Sequence, residues 1–443
     1  MKNIFLLLTT GAMAMQCAGQ VWLPLGSGTN APVKTLAAYD GELVVGGYFT
    51  AAGGIPADYI ATWDGAAWDS LCTGVETSLL ELFPFGGGLV AGGSFTTACG
   101  SPAVRIASWD GAAWSTFGSG MSEGVTTLEE FQGNLYAGGA FTVAGGIPVS
   151  LVAYWDGGGW NDMDGGCFPG GVFALETFGS DLYVGGGFTS AGGLPAFYIA
   201  RWDGMDWSYL PALNGGVNVM AVYDGALYVG GGFTMAGTVP VSNIAKWDGV
   251  SWSVVGGGVN SFVEAMLPVG DDLYVGGGFT EAGGSTAYFV ARWDGTSWSA
   301  IVPGFSLNGL VEALAVHDGS LFIGGSFTLS GTTVLNHVAE WSLPVQVQEP
   351  SPASTAWTLY PNPAQDLVTV TCPNGAYNDF QLLDAMGRMV KSATGSSVGA
   401  AWPEEDRRFV IDVSDLPSGM YLVRALSPNV QHPTSAKCLM IGH

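Results

Sequence analysis

Leu43–Thr50 reads LVVGGYFT, and this stretch returns with small changes six more times. It appears as LVAGGSFT at 89–96, LYAGGAFT at 135–142, LYVGGGFT at 182–189, 227–234 and 273–280, and LFIGGSFT at 321–328. The anchoring phenylalanines are Phe49, Phe95, Phe141, Phe188, Phe233, Phe279 and Phe327, spaced by 45 to 48 residues. A steady period of this length marks units that each bury an apolar face against a neighbour.

Working outward from each copy, four short strands emerge. The first carries Val-x-x-Leu, as in Val33 and Leu36 or Val311 and Leu314, and the second is the apolar run itself. The third ends at a tryptophan (Trp63, Trp109, Trp155, Trp202, Trp247, Trp293, Trp341). The fourth begins at another (Trp68, Trp114, Trp160, Trp207, Trp252, Trp298). Asp-Gly between them, as in Asp64-Gly65 and Asp294-Gly295, predicts a hairpin with a type I′ turn. The Gly-Gly pair predicts a place where strands crowd together, and each Trp or Phe supplies roughly 150–250 Å² of apolar surface to bury. Four strands in each of seven units predict an all-β, seven-bladed β-propeller over residues 21–342. Val21–Leu25 (VWLPL) reads as a fourth strand with no first three before it, whereas the last copy stops at Trp341-Ser342 without a fourth. The N-terminal strand is therefore expected to pair with the strand ending at Trp341 and close the ring.

Composition agrees with this class. The 443 residues include 70 Gly and 22 Pro, yet 48% are hydrophobic and 12% aromatic, which points to many turns between short strands rather than disorder. The formal net charge is −25 with only 12 Lys and Arg. Nucleic acid and anionic membrane surfaces are thereby disfavoured as partners. Residues 1–20 read as an export signal, with Lys2, the apolar run Ile4–Leu8 and small residues up to Ala18 and Gly19. Beyond them no 18-residue apolar run exists. Five cysteines follow the signal. Cys72 and Cys99 are the disulfide candidates, because both fall on the same face of the four-strand scheme. Cys372 and Cys438 form a second candidate pair, leaving Cys167 free.

The repeat resembles kelch-type repeats: a Gly-Gly pair closing the second strand (Gly276-Gly277), then an aromatic-Asp pair (Trp293-Asp294) and a downstream Trp298. It departs from them in the Phe-Thr-x-Ala-Gly-Gly segment and in Trp where Tyr is usual. Trp-Asp here opens a hairpin and no Gly-His signature accompanies it, so it is not a WD repeat.

Residues 343–356 (LPVQVQEPSPASTA) read as a linker, after which the repeat stops. Leu367–Val370, Phe380–Leu383, Phe409–Val413 and Met420–Ala425 alternate as strands of a small β-sandwich. Over residues 357–443 the chain resembles the C-terminal sorting domain of type IX secretion substrates. The motif residues are Pro361, Asn362 and Pro363, then Asp384, Gly387 and Arg388, then Leu416, Pro417, Gly419 and Tyr421, with Lys437 near the end. The resemblance implies recognition by the type IX machinery and a secreted or outer-membrane-surface location in a Gram-negative bacterium.

Catalytic chemistry has little material. Of the four histidines, His317 stands where other repeats hold Tyr39, Phe85, Phe131, Phe178 and Tyr223, and His337 where they hold Tyr59, Tyr198 and Phe289. Both read as semi-aromatic fillers rather than metal ligands or triad members. No cofactor is implied. The Asp-Gly aspartates (Asp64, Asp110, Asp156, Asp203, Asp248, Asp294) are explained as turn residues, with calcium as the competing reading. The connections between second and third strands, as in Ala51–Asp58, read as long loops of small residues on one face, where binding sites concentrate. The chain is thus expected to be a monomeric, secreted or cell-surface binding module for a glycan or protein. The competing readings are a carbohydrate-active hydrolase or lyase using carboxylates on one propeller face, and a structural surface-layer component.

Overall fold

The computed structural model describes residues 21–302, 306–342, 358–360, 365–373, 379–383, 389–394, 406–417, 419–426 and 435–441. The export signal (1–20) and the linker (343–356) read from the sequence lie outside these residues. Among the described residues the chain is all β, without helix.

Val21–Trp341 form one compact unit, built from repeated four-stranded antiparallel sheets in a propeller-like pattern. In the first repeat Val33–Tyr39, Glu42–Gly47, Ile60–Trp63 and Trp68–Ser70 pair in chain order, and the next five repeats do the same. The sheet that begins at Val311–His317 takes its outer strand from the start of the chain. Leu23–Pro24 pairs with Val338–Ser342, Leu23 opposite Glu340 and Pro24 opposite Ala339. This is the register in which Asp69 faces Thr62 and Ser70 faces Ala61 in the first repeat.

The Gly-Gly pairs act as sockets. A Cβ on Gly46 would lie 2.5 Å from Leu79 Cδ2, at the head of the next repeat's first strand. One on Gly324, in the last repeat, would lie 2.4 Å from Val33 Cγ1 in the first. Each first strand therefore nests in the preceding sheet at a point where no side chain could stand. One apolar cluster joins Val33, Leu36 and Phe49 of the first repeat to Ala313, Phe322 and Val338 of the last.

Two local features differ from the sequence expectation. The Asp-Gly hairpins are not two-residue type I′ turns. Trp63 pairs with Trp68, leaving the four residues Asp64–Ala67 in the turn, and of these only Gly65 is left-handed (φ 95°). Asp64 Oδ1 accepts hydrogen bonds from the backbone N–H of Ala66 (2.8 Å) and Ala67 (2.7 Å). The carboxylate thus supplies the acceptor that a tighter turn would have found in the backbone. Those bonds, from Ala67 and then Ala66, hold the Asp64 carboxyl below its usual range. Asp110, Asp156, Asp203, Asp248 and Asp294 bond in the same way. The second difference is that the long connection is itself a small hairpin, Ala51–Ala52 against Ile55–Pro56, repeated in every unit. Each small hairpin is tied to the segment that enters its repeat, as in Gly53 N–H to Gly28 O (2.8 Å) and Cys99 N–H to Gly74 O (2.8 Å).

The C-terminal unit, described by itself, has two antiparallel sheets. One orders Thr358–Tyr360, Leu367–Pro373 and Asp406–Asp412; the other orders Met389–Thr394, Asp379–Leu383, Gly419–Leu426 and Ser435–Ile441. Val368 and Val370, Phe380 and Leu382, Ile411 and Val413, and Tyr421 and Val423 are buried at every second position, as strands with one covered face require.

Candidate functional site

In each repeat the small hairpin, the entering segment and the head of the first strand share one end of the sheet, and in the first six repeats the Asp-Gly turn occupies the other. The register of every first strand shifts between its first and third residues. Such a bulge re-aims the extra residue. The bulge residues are Lys34, Leu80, Thr126, Phe173, Asn218, Glu264 and Glu312. First strands of successive repeats pack against one another, and that of the last packs against that of the first, so these side chains interact between repeats. Lys34 Nζ meets Glu312 Oε2 at 3.0 Å, Asn218 Nδ2 donates to Glu264 Oε1 at 3.2 Å, and Thr126 Oγ1 donates to Val172 O at 2.6 Å. Burial alone would lower the Lys34 pKa, but Glu312 and Glu264 outweigh it and raise the ammonium above its ordinary value.

Deeper on the same strands lie Glu81, Glu129 and Glu176, on three consecutive repeats. Burial pushes Glu81 up to about 8, opposed by Lys34 and reinforced by Glu129. Burial likewise lifts Glu129 to about 7 against its bond with Thr177, and Glu176 to about 8 with help from the Glu129 charge. Three carboxyls poised to hold protons near neutrality are the acid–base material of the first-strand face.

The hairpin end also carries the caps that explain the Phe-Thr motif. Asn30 Oδ1 accepts the backbone N–H of Thr50 (2.9 Å) and Ala51 (3.0 Å), while its Nδ2 donates to Thr50 Oγ1 (3.0 Å). Asn214, Asn260 and Asn308 do the same, and Ser122 accepts the equivalent backbone pair. In the second repeat Glu76 takes this role, clamping Thr96 and Thr97. Burial opposes its charge, but those hydroxyl and backbone bonds outweigh it and pull the carboxyl down to about 2.

The fourth repeat breaks the pattern. Phe168 stands where the others hold Asn, Ser or Glu, and the residue is 64% exposed. The cap is replaced by the Phe168 carbonyl, which accepts Thr189 N–H (3.4 Å) and Ser190 Oγ–H (2.7 Å). The bridge that the other repeats make once, as at Thr29–Ala52, is extended here by the pair Phe168–Ser190. The same end of this repeat also exposes the bulge residue Phe173 (42%), Leu194 (54%) and Phe197 (45%), the last two at registers where Ile147 and Tyr288 are exposed in other repeats. The connecting loops that the sequence reads as mostly small residues, as in Ala51–Asp58, do not include Phe168, which lies in the entering segment. The hairpin tips are small, but the register position beside the Phe-Thr motif is aromatic in this one repeat.

The other candidates fall as follows. His317 is 8% exposed and packs 6.2 Å from the Phe322 ring. His337 has φ 74°, a left-handed geometry shared by Tyr59, Arg105, Leu151, Tyr198, Asn243 and Phe289 at the same register, so this position serves backbone geometry. Among the described residues no three His, Cys, Asp or Glu are placed to hold a metal ion. Cys72 and Cys99 are bonded through Sγ, with Cα atoms 5.9 Å apart, and Cys167 is buried and free. The side chains of Cys372 and Cys438 lie outside the described residues. So do Pro361, Asn362, Pro363, Asp384, Gly387 and Arg388, and the side chain of Lys437. Leu416 and Pro417 lead into the strand Gly419–Leu426, and Tyr421 Oη donates to Pro417 O at 2.9 Å, so the aromatic of that motif ties down its own turn.

A search of curated proteins finds no relative of this chain. Among solved structures it is similar to dimeric latent PorU from Porphyromonas gingivalis, at 14% identity and a TM-score of 0.17. The likeness covers 70% of this chain and 31% of that one, so the chain spans about a third of that protein's length. Residues 358–437 match the family described as the secretion system C-terminal sorting domain, a span that contains every motif residue from Pro361 to Lys437. The chain carries a sorting domain of this family, which assigns it to type IX export and makes it a secreted or cell-surface protein of a Bacteroidetes-type Gram-negative bacterium.

Proposed function

We propose that residues 21–342 are a closed seven-bladed propeller that acts as an extracellular binding module, with the hairpin face of the fourth repeat as its contact surface for a glycan or protein. Phe168 carries the reading. At a register where other repeats spend a polar side chain on capping, this one exposes an aromatic ring and leaves the capping to its own backbone carbonyl. Large exposed apolar side chains clustered within one repeat are costly to leave in water and mark recognition surfaces. Closure is supported by the shared register of Leu23–Pro24 and by the Gly324 socket around Val33. The net charge disfavours polyanions, so the ligand is a neutral glycan or a protein surface.

The test is a glycan array and a surface-protein panel probed with the mature chain, with and without calcium, beside the double variant F168A/F173A. Binding weakened at least tenfold, with an unchanged melting temperature, supports the assignment. Equal binding by the variant sinks it. A second reading, hydrolysis or elimination on a carbohydrate, draws on Glu81, Glu129 and Glu176, whose raised pKa values suit a general acid. Turnover of any array hit that E129Q abolishes would favour it over binding alone.

A further inference from the structure

We propose that the Cys72–Cys99 disulfide is a covalent replacement for an indole hydrogen bond that ties consecutive repeats elsewhere in the molecule. The fourth-strand tryptophans reach back across the repeat boundary. Trp68 Nε1 donates to Leu25 O (2.8 Å), Trp160 to Phe117 O (3.1 Å), Trp207 to Met163 O (2.6 Å), Trp252 to Pro211 O (2.8 Å) and Trp298 to Val255 O (3.0 Å). In each case the acceptor lies in the segment leaving the preceding sheet. Trp114 is the exception. Its equivalent acceptor is Leu71 O, which accepts Gly74 N–H (3.1 Å) as Leu25 O accepts Gly28 N–H (2.9 Å). Yet Trp114 Nε1 is buried without a partner, and Cys99 Sγ lies 3.8 Å from Leu71 O.

The cause is one side chain. Cys99 occupies the hairpin register held by Gly53, Gly145, Gly192, Gly237 and Gly283. A Cβ on Gly53, Gly145, Gly192 or Gly283 would come within 2.5, 2.8, 2.7 or 2.8 Å of Cδ1 of Trp68, Trp160, Trp207 or Trp298. At these four positions glycine is what lets the indole lie in donating position; at Gly237 the clearance to Trp252 Cδ1 is an ordinary 3.5 Å. Cys99 brings the Cβ that excludes the indole. Cys72, at the register of Gly26, Gly118 and Gly256, brings the sulfur that ties the leaving segment to the next repeat again, now through that repeat's small hairpin rather than its fourth strand. Both cysteines keep the left-handed backbone of those glycines, φ 53° at Cys72 and 48° at Cys99. Two substitutions away from glycine thus exchange a hydrogen bond for a covalent bond at one seam only.

The exchange predicts a coupling that a plain structural disulfide would not show. In the full chain, W160F should lower the melting temperature by about 2–4 °C more than W114F, since only the former removes a hydrogen bond. In the C72G/C99G background the Trp114 indole regains its acceptor, and W114F should then cost about as much as W160F. Equal costs for W114F and W160F in the native background would overturn the proposal, and this comparison stands even if the glycine variant does not fold. So would a W114F cost that is the same in both backgrounds.

Discussion

At the scale of single residues, two kinds of glutamate with opposite environments make a pH test possible. Glu81 and Glu176 are lifted to about 8 by burial between first strands, against roughly 4.3 in an unfolded chain. The folded state therefore holds their protons over a range where the unfolded state has lost them. Their contribution to stability is full below about pH 4.3 and is lost as pH rises through about 8. Replacing either by glutamine, which never ionises, should leave the melting temperature near that of the native chain at pH 4 and raise it at pH 8.5. Glu76 has the reverse sign. Its carboxyl sits at about 2 because Thr96 and Thr97 bind the charge, so its contribution is present above about pH 4.3 and lost as pH falls through about 2. Glu76→Gln should lower the melting temperature at pH 7, with the deficit shrinking toward pH 2. Thermal melts of the three variants across this range check both signs. Parallel curves for E81Q and E76Q would show that burial and hydrogen bonding do not separate these carboxyls.

At the scale of strands and turns, the decisive element is the shortest. Trp22 and Leu25, flanking the strand Leu23–Pro24, are 3% and 0% exposed, and Leu25 O receives the Trp68 indole of the first repeat. The proposed closure makes this segment a latch that serves two repeats. Trp22→Ala should cost about 3–5 kcal/mol, as large core aromatics do, and should destabilise more than deletion of two residues from the Asp64–Ala67 turn. Urea unfolding of both variants measures this, and a Trp22→Ala variant no weaker than the turn deletion would remove the latch from the argument. This strand was legible in sequence because its tryptophan matches the repeat and its missing partners match the truncated last copy. So were the four main strands and the Gly-Gly sockets, since periodic apolar residues and paired tryptophans survive in a linear reading. The small hairpin was not legible, because its strands are two residues long and show no alternation to detect. Nor was the facing of Lys34, Glu264 and Glu312. The bulge at that position breaks the two-residue period on which any inside–outside assignment rests. Asp-Gly pointed rightly to hairpins but not to their length, which is set by Trp63 pairing with Trp68 rather than by the turn residues. Phe168 was hidden because its meaning comes from the register it shares with Asn30 and Asn308, visible only once the hairpins are in place.

At the scale of the whole molecule, the chain joins two compact units with different work. Val21–Trp341 holds its own apolar clusters and the exposed fourth-repeat surface, and the unit from Ser342 onward holds the sorting domain. Glycine-rich sheets whose packing is repeated from unit to unit need nothing from a terminal sandwich to cover them, because each first strand already nests in a socket of a neighbouring sheet. A chain ending at Ser342 should therefore melt cooperatively within a few degrees of the full protein. The sorting domain, by contrast, is an address, read by the export machinery through residues 358–437. Without it the truncated chain should cross the inner membrane and stay in the periplasm of a type IX-competent cell. Residues 343–443 fused behind an unrelated exported protein should carry that protein to the cell surface or the medium. Fractionation with immunodetection distinguishes these outcomes, and the fusion arm isolates the address from the fold. A truncated chain that reached the surface would mean that export reads the propeller-like unit, and one that failed to melt cooperatively would mean that this unit depends on residues beyond Ser342.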